Sequence, residues 1–202
     1  FYTVVPGEKA ALRMFGVYQQ GSSTALMGGT EPGLHWWWPS PVGERAIVKV
    51  DEIRRMELGF RGTSPVPVES LMITGDENIV DAQLLVQYNV KDIELFLFRV
   101  IDPTGLTIRD ATESALRQIV GSRNIDDVLT TQKEQVQSET KLLLQKLLDG
   151  YETGIRILEV KLQSVLPPEQ VSDAFDDVVR AKEDKEKIIN LADAYEEDII
   201  PK

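Results

Sequence analysis

His35 is the sole imidazole among 202 residues, so any Ser-His-Asp or Cys-His arrangement would have to be built on it. It stands in Gly33-Leu34-His35-Trp36-Trp37-Trp38-Pro39, two residues after a turn glycine and beside three tryptophans. No G-x-S-x-G elbow occurs anywhere in the chain. Serines and lysines are common, and nothing in their spacing marks out a Ser-Lys pair, so a membrane-associated serine protease is the weakest reading. One histidine and no cysteine offer neither an imidazole cluster nor thiolates for a metal. The acidic clusters Asp76-Glu77, Asp126-Asp127, Asp176-Asp177 and Glu196-Glu197-Asp198 are the remaining candidates for acid–base work or calcium binding. Neighbours on a helix point about 100° apart and do not face each other, and none of the clusters has calcium-loop spacing. A solvated acidic surface is the simpler reading. Gly28-Gly29 and Gly150/Gly154 do not follow the phosphate-loop pattern. The expectation is a protein that is not an enzyme, with no catalytic residue, no metal and no cofactor.

Trp36-Trp37-Trp38 is the most unusual segment, since it holds every tryptophan of the chain in one consecutive run. In a strand, successive side chains point to opposite faces, so one core cannot take all three. Tryptophan also favours the bilayer interface, where the ring is buried and the N–H stays wet. Two core tryptophans and one exposed is the alternative. Phe1 and Tyr2 tip the balance, because they fit an aromatic belt following a membrane span. Phe1, Tyr2, Trp36, Trp37 and Trp38 are therefore the candidate membrane-interface residues.

The elements that must position these residues are legible from periodicity. Residues 1 to about 100 read as β-rich. Over 45–53, Ala46, Val48 and Val50 alternate with Ile47, Lys49 and Asp51. The clearest strand is 78–90, where Val80, Ala82, Leu84, Val86, Tyr88 and Val90 form one apolar face. Leu71-Met72-Ile73 precedes it across Thr74-Gly75-Asp76-Glu77-Asn78, which has hairpin punctuation. Residues 92–98 read as a short helix, and Asp102-Pro103 breaks the chain. Over 106–120, Ile108, Ala111, Ala115 and Ile119 share a helical face that ends at Gly121, a C-cap candidate. Asn124 can cap a short helix containing Val128 and Leu129. Thr131 to Glu134 matches a capping box, and the helix behind it carries Val136, Thr140, Leu143, Leu144 and Leu147 on one stripe. Residues 155–165 read as a strand whose alternation slips at Leu158, as a bulge would make it. Pro167-Pro168 ends that strand, and 169 to about 200 is helical throughout.

The order β-rich, αα, β, long helix gives an α+β domain with a helical stalk. Val171, Phe175, Val178, Ile188, Ala192, Tyr195 and Ile199 recur mostly at three- and four-residue steps, and they are the candidate subunit-interface residues. A single helix cannot bury its own apolar face. It either packs along its own domain or is shared with neighbouring subunits as the start of a coiled coil.

A net charge of −11 and a pI near 4.7 argue against nucleic acid and against electrostatic adsorption to anionic lipid. A hydrophobic fraction of 42% is enough for a real core. No apolar run approaches the roughly 18 residues of a membrane span, and no signal-peptide pattern is present. The chain starts at Phe1-Tyr2 without a Met and stops at Pro201-Lys202 within a helical pattern, as the middle of a longer protein would.

Several stretches taken together resemble the stomatin/prohibitin/flotillin (SPFH, or band 7) family, and its HflK branch in particular. Phe1-Tyr2-Thr3-Val4, Pro6-Gly7-Glu8 and Met14-Phe15-Gly16 resemble the entry into the SPFH domain, and Pro32-Gly33-Leu34-His35-Trp36 follows in order. Glu69-Ser70-Leu71-Met72 with Thr74-Gly75-Asp76-Glu77-Asn78-Ile79-Val80 is the most specific stretch. Asp110-Ala111, Glu113 to Arg117, Asp127 to Thr130, Pro167-Pro168, Asp173 to Asp177, Ala181 to Glu186 and Ala194-Tyr195 continue it over essentially the whole chain. The resemblance implies an N-terminal membrane helix, a membrane-proximal SPFH subdomain over 1–70, a second SPFH subdomain over 71–167, and a long helix over 168–202 running on to a C-terminal cap. It implies a single-pass protein of the bacterial inner membrane with this domain on the periplasmic side. The implied partners are an HflC-like paralogue, in a large hetero-oligomeric ring, an enclosed FtsH-type AAA+ membrane protease that the ring regulates, and membrane lipids. A stomatin-like organiser of lipid microdomains with no protease partner is the alternative. The chain departs from the family at residues 17–30, which are longer than usual, and in having three tryptophans where one is usual. Both departures fall where lipid contact is expected, and they point to deeper insertion into the outer leaflet.

Overall fold

Two hydrophobic cores form along the chain, a small one near its start and a large one behind it. The computed structural model describes residues 1–19, 27–168 and 171–199, without the side chains at 130, 131, 173, 175, 176, 179, 182, 193 and 196–199. The first part is built by β1 (Tyr2–Val4), β2 (Glu8–Met14), β3 (Val17–Gln19), β4 (Gly33–His35) and β5 (Gly43–Lys49). β1 pairs antiparallel with β4, while β2 lies between β3 and β5 in an antiparallel sheet. Phe15 and Gly16 join β2 to β3, both with positive φ, which is the backbone a two-residue hairpin turn demands. Tyr2, Val4, Ala10, Leu12 and Trp37 make the small core, with Met14 packed against it.

The second part follows as β6 (Arg54–Leu58), β7 (Phe60–Arg61), β8 (Ser64–Pro65), α1 (Pro67–Ser70), β9 (Leu71–Ile73), β10 (Ile79–Val90), α2 (Ile93–Phe98) and α3 (Leu106–Val120). A π-helical turn (Asp127–Thr131), α4 (Lys133–Gly150), β11 (Ile155–Leu166) and α5 (Ser172–Ile199) complete it. β10 is the central strand. β11 runs along one side of it, and β6 and β9 pair with the other, all antiparallel. Val80, Ala82, Leu84, Val86, Tyr88 and Val90 are buried at every second position, as the period-two pattern predicts. α3 and α4 cover that face with Ile108, Ala111, Ala115, Leu116, Val136, Leu144 and Leu148. Each fully buried Val or Leu contributes about 1.5–3 kcal/mol, so this layer carries most of the domain's stability.

The structure departs from the sequence expectations at four places. The strand expected over 45–53 stops at Lys49, and its Val48 packs in the large core. The division at residue 70 meets β6 already hydrogen-bonded to β10, with Met56 and Leu58 in the large core, so packing divides the chain near residue 50. Gly121 does end α3, but with φ −66°, so its role there is not a left-handed cap. α4 starts at Lys133 behind Gln132, which makes no side-chain cap, and a π-helical turn runs up to Thr131, whose side chain, the capping group of the expected box, lies outside the described residues. The bulge at Leu158 is present as read, and a second falls at Gln163.

α5 is 28 residues long, about 42 Å at 1.5 Å per residue. From Ala174 onward its described side chains are all exposed. On these residues it does not pack along its own domain, and its described apolar side chains face outward.

Candidate assembly surfaces

Strand alternation separates the aromatic residues at the start of the chain. Tyr2 pairs with His35 and turns inward, their rings 5.5 Å apart, and the Tyr2 hydroxyl donates to the Gly29 carbonyl at 2.5 Å. Burial pushes the Tyr2 hydroxyl up from its ordinary pKa, against the pull of the nearby Arg45 guanidinium. Trp37 is only 9% exposed, and its Nε1–H donates to the Arg13 carbonyl at 3.2 Å. Its ring fills a slot that two glycines leave open: a Cβ on Gly28 would lie 3.0 Å from the ring, and one on Gly43 2.8 Å from Nε1. Phe1 is 79% and Trp38 42% exposed, with Trp36 half-buried. Trp36 and Trp38 meet edge to face at 5.1 Å, and exposed Met27 bridges to Trp36. Leu34, opposite Thr3 on the outward side of the β1–β4 ribbon, is also exposed. Of the five candidate membrane-interface residues, Tyr2 and Trp37 are core, while Phe1, Trp36 and Trp38 sit on an outward apolar edge. His35 is buried, with Nε2 2.8 Å from the Glu31 carbonyl, so it holds the loop before β4 in place.

The second surface lies at the root of α5. Thr74-Gly75-Asp76-Glu77-Asn78 closes the β9–β10 hairpin and docks it onto the end of α3. The Gly75 N–H donates to the Arg123 carbonyl at 2.7 Å, and a Cβ there would lie 3.1 Å from the Gly121 carbonyl. The Asp76 carboxylate accepts from the Thr74 hydroxyl at 2.5 Å and from the Ile125 N–H at 3.1 Å. The Thr74 hydrogen bond, helped by the Ile125 and Asn78 donors, outweighs burial and holds the Asp76 carboxyl below the usual carboxylate range. Arg123 donates to both oxygens of Glu139, at 2.7 and 2.8 Å, and to Gln132 Oε1, tying the same corner to α4. Between this corner and α5 lies a notch of about 480 Å³. Ile79, Ile125, Pro167, Val171, Ala174 and Val178 supply its apolar lining, and Asp76, Glu77 and Asp126 its charge.

Among the candidate subunit-interface residues, Val171, Val178, Ile188, Ala192 and Tyr195 are exposed. Ile189 and Leu191, which the spacing argument passed over, are exposed beside them. The side chains of Phe175 and Ile199 lie outside the described residues. Sequence reasoning also missed the notch, because its walls come from three distant segments. The signal that could have found it was the density of polar turn residues at 74–78 between two apolar strands.

Among the described residues no group of three His, Cys, Asp or Glu side chains could hold a metal ion, and no helix is long and apolar enough to cross a membrane. Glu69 is held by Arg61 at 2.6 Å and Arg109 at 3.0 Å and accepts from the Gly59 N–H. Burial alone would raise its pKa, but the Arg61 and Gly59 hydrogen bonds and the Arg61 charge bring it below the ordinary value. That arrangement braces β7, α1 and α3.

Comparison with known proteins places these surfaces in a context. The model of the SPFH domain / Band 7 family matches residues 2–196. The chain is 36% identical to the HflK protein of Vibrio cholerae over all 202 residues, which span 46% of that protein. It is 34% identical, again over the whole chain, to the Escherichia coli protein named modulator of FtsH protease HflK, of which it spans 43%. The HflK protein of Treponema pallidum is 32% identical over 93% of this chain and 57% of its own length. The chain thus spans less than half the length of the first two relatives.

Proposed function

Because this chain belongs to the SPFH domain / Band 7 family, we propose that it is the scaffold region of a membrane-anchored subunit that assembles into a large ring and regulates an FtsH-type AAA+ membrane protease. The observation that carries the assembly is α5, a 28-residue helix with Val178, Ile188, Ile189, Leu191 and Tyr195 all exposed along it. Water solvates apolar side chains at a cost, and a helix with such a face becomes stable by sharing it with another. A closed ring of these helices leaves no unpaired end and encloses a patch of membrane. The companion subunit in this reading is an HflC-like paralogue. The E. coli relative's name as a modulator of FtsH protease supports the protease partner.

Phe1, Trp36 and Trp38 form the edge that rests on the bilayer in this reading. Their rings reach the interfacial zone, where aromatic side chains are favoured. The host membrane is the bacterial inner membrane, with a single span preceding Phe1 and the domain on the periplasmic side. The protein performs no chemistry of its own; it controls access by geometry.

The test is mass and negative-stain imaging of the full-length protein, extracted gently from its native membrane. The expected result is a closed ring carrying a second SPFH protein and an AAA+ protease. A small oligomer with neither companion overturns the protease reading and leaves an organiser of lipid microdomains.

A further inference from the structure

The outer face of the central sheet, opposite the α3–α4 layer, is bare at its α5 end. Ile79 pairs with Ile73 across the β9–β10 hairpin, and Asp81 pairs with Leu71 on one side and Leu166 on the other. These five alternate with Met72, Val80 and Val165, which pack inward, so all five share the outward face. Leu71, Ile73, Ile79 and Leu166 are 41–60% exposed. Asp81 stands among them, its Cβ about 5 Å from those of its two directly paired leucines. Its Oδ1 is buried and has no hydrogen-bond partner among the described residues. A carboxylate partly withdrawn from water and given no donor is costly, and a cation brought against it offsets that cost.

Ile79 also lines the notch at the α5 root, so patch and notch are one surface, continued by exposed Val171 and Val178 onto α5. Its charge has one sign. Asp76, Glu77 and Asp126 line the notch, with no Lys or Arg among its walls. Arg123 and Arg180, the cations close to those walls in sequence, are engaged by Glu139 and Asp177. A second copy of a chain with net charge −11 fits such a surface badly.

We propose that this surface seats the neighbouring, non-identical subunit, taking a segment that presents a Lys or Arg to Asp81 between aliphatic side chains. The proposal rests on the mixed-ring reading above and names one contact within it. The aliphatic rim keeps water from the ion pair, so that a single central pair carries a large share of the affinity. The surrounding carboxylates repel a second acidic copy, so the seat selects the paralogue.

Photo-cross-linking tests this. Ile73→p-benzoylphenylalanine and Leu166→p-benzoylphenylalanine are made separately in the full-length protein; both positions are 60% exposed, so the fold accommodates them. Native membranes are irradiated and the joined peptides sequenced by mass spectrometry. The expected product joins this chain to a Lys- or Arg-containing peptide of a second SPFH protein. Adding Asp81→Asn, which keeps the side chain's shape, lowers its yield at least about tenfold with the melting temperature unchanged. No product, a product with a second copy of this chain or with lipid alone, a partner peptide lacking Lys and Arg, or full yield from Asp81→Asn overturns the proposal. Ring imaging and protease copurification on the same membranes score the broader reading separately. Mixed rings without the cross-link sink this seat alone, the cross-link without a protease sinks only the protease partner, and a small oligomer with no second SPFH protein sinks both.

Discussion

Trp37 and Trp38 are neighbours in sequence with opposite tasks. Trp37 fills the slot beside Gly28 and Gly43, so Trp37→Ala is expected to cost about 3–5 kcal/mol of stability, read as a fall in the denaturant midpoint. Trp38→Ala removes a half-open ring and is expected to change stability by no more than about 0.5 kcal/mol. It should instead reduce fluorescence quenching by brominated lipids in liposomes, because half-buried Trp36 is then the one indole left on that edge. Equal stability losses from the two variants would contradict this division. Alternation told in advance that three consecutive tryptophans cannot share one core. Which of them goes inside was not legible, because the slot is cut by two glycines 15 residues apart that meet only after folding.

At the level of elements, the hairpin tip at 74–78 and the α2 helix act as fasteners. Asp76 has its pKa lowered in the folded state, so its contribution is present at neutral pH and is lost as pH falls through that lowered value. Asp76→Ala should cost about 1–3 kcal/mol at pH 7, since it leaves the Thr74 hydroxyl and the Ile125 N–H without their shared acceptor. The variant's stability should also fall less steeply on acidification, and urea titrations from pH 7 to pH 3 would read both effects. The second fastener joins the two cores: Phe98 of α2 lies 4.3 Å under the Arg13 guanidinium and 5.5 Å from the Tyr18 ring. Phe98→Ala should loosen the first subdomain relative to the second, read as faster hydrogen exchange in β2 and β3 with β10 unchanged. The strands and helices themselves were legible from period and caps, down to the bulge at Leu158. The partner of β6 was not, because Arg54-Arg55-Met56-Glu57-Leu58 alternates equally well for either sheet, and tertiary packing decides. The π-helical turn was hidden for a related reason: an inserted residue leaves the apolar pattern on both sides intact.

For the whole molecule, the exposed face of α5 decides between a lone domain and an assembly. Ile188→Asp changes a side chain that is 66% exposed, so the melting temperature of the SPFH domain should hold. Ring formation by the full-length protein should weaken, with mass photometry showing smaller species. Rings as abundant as the parent's would remove α5 from the contact. The helix was readable from sequence as helix, and its separation from the domain was not, because a stripe at three- and four-residue steps is the same for a helix that packs inward and one that packs on a neighbour.

α5 meets its own domain only at its root, beyond the Pro167-Pro168 junction, and this makes it a lever. A tilt of about 5° at that pivot moves the far end of a 42 Å helix by roughly 4 Å. In a ring of such helices the tilts act together, as the staves of a cask set the width of its mouth. In the proposed ring, whatever fills the notch beside Val171 and Val178 would set the lean of every stave, and with it the width of the opening.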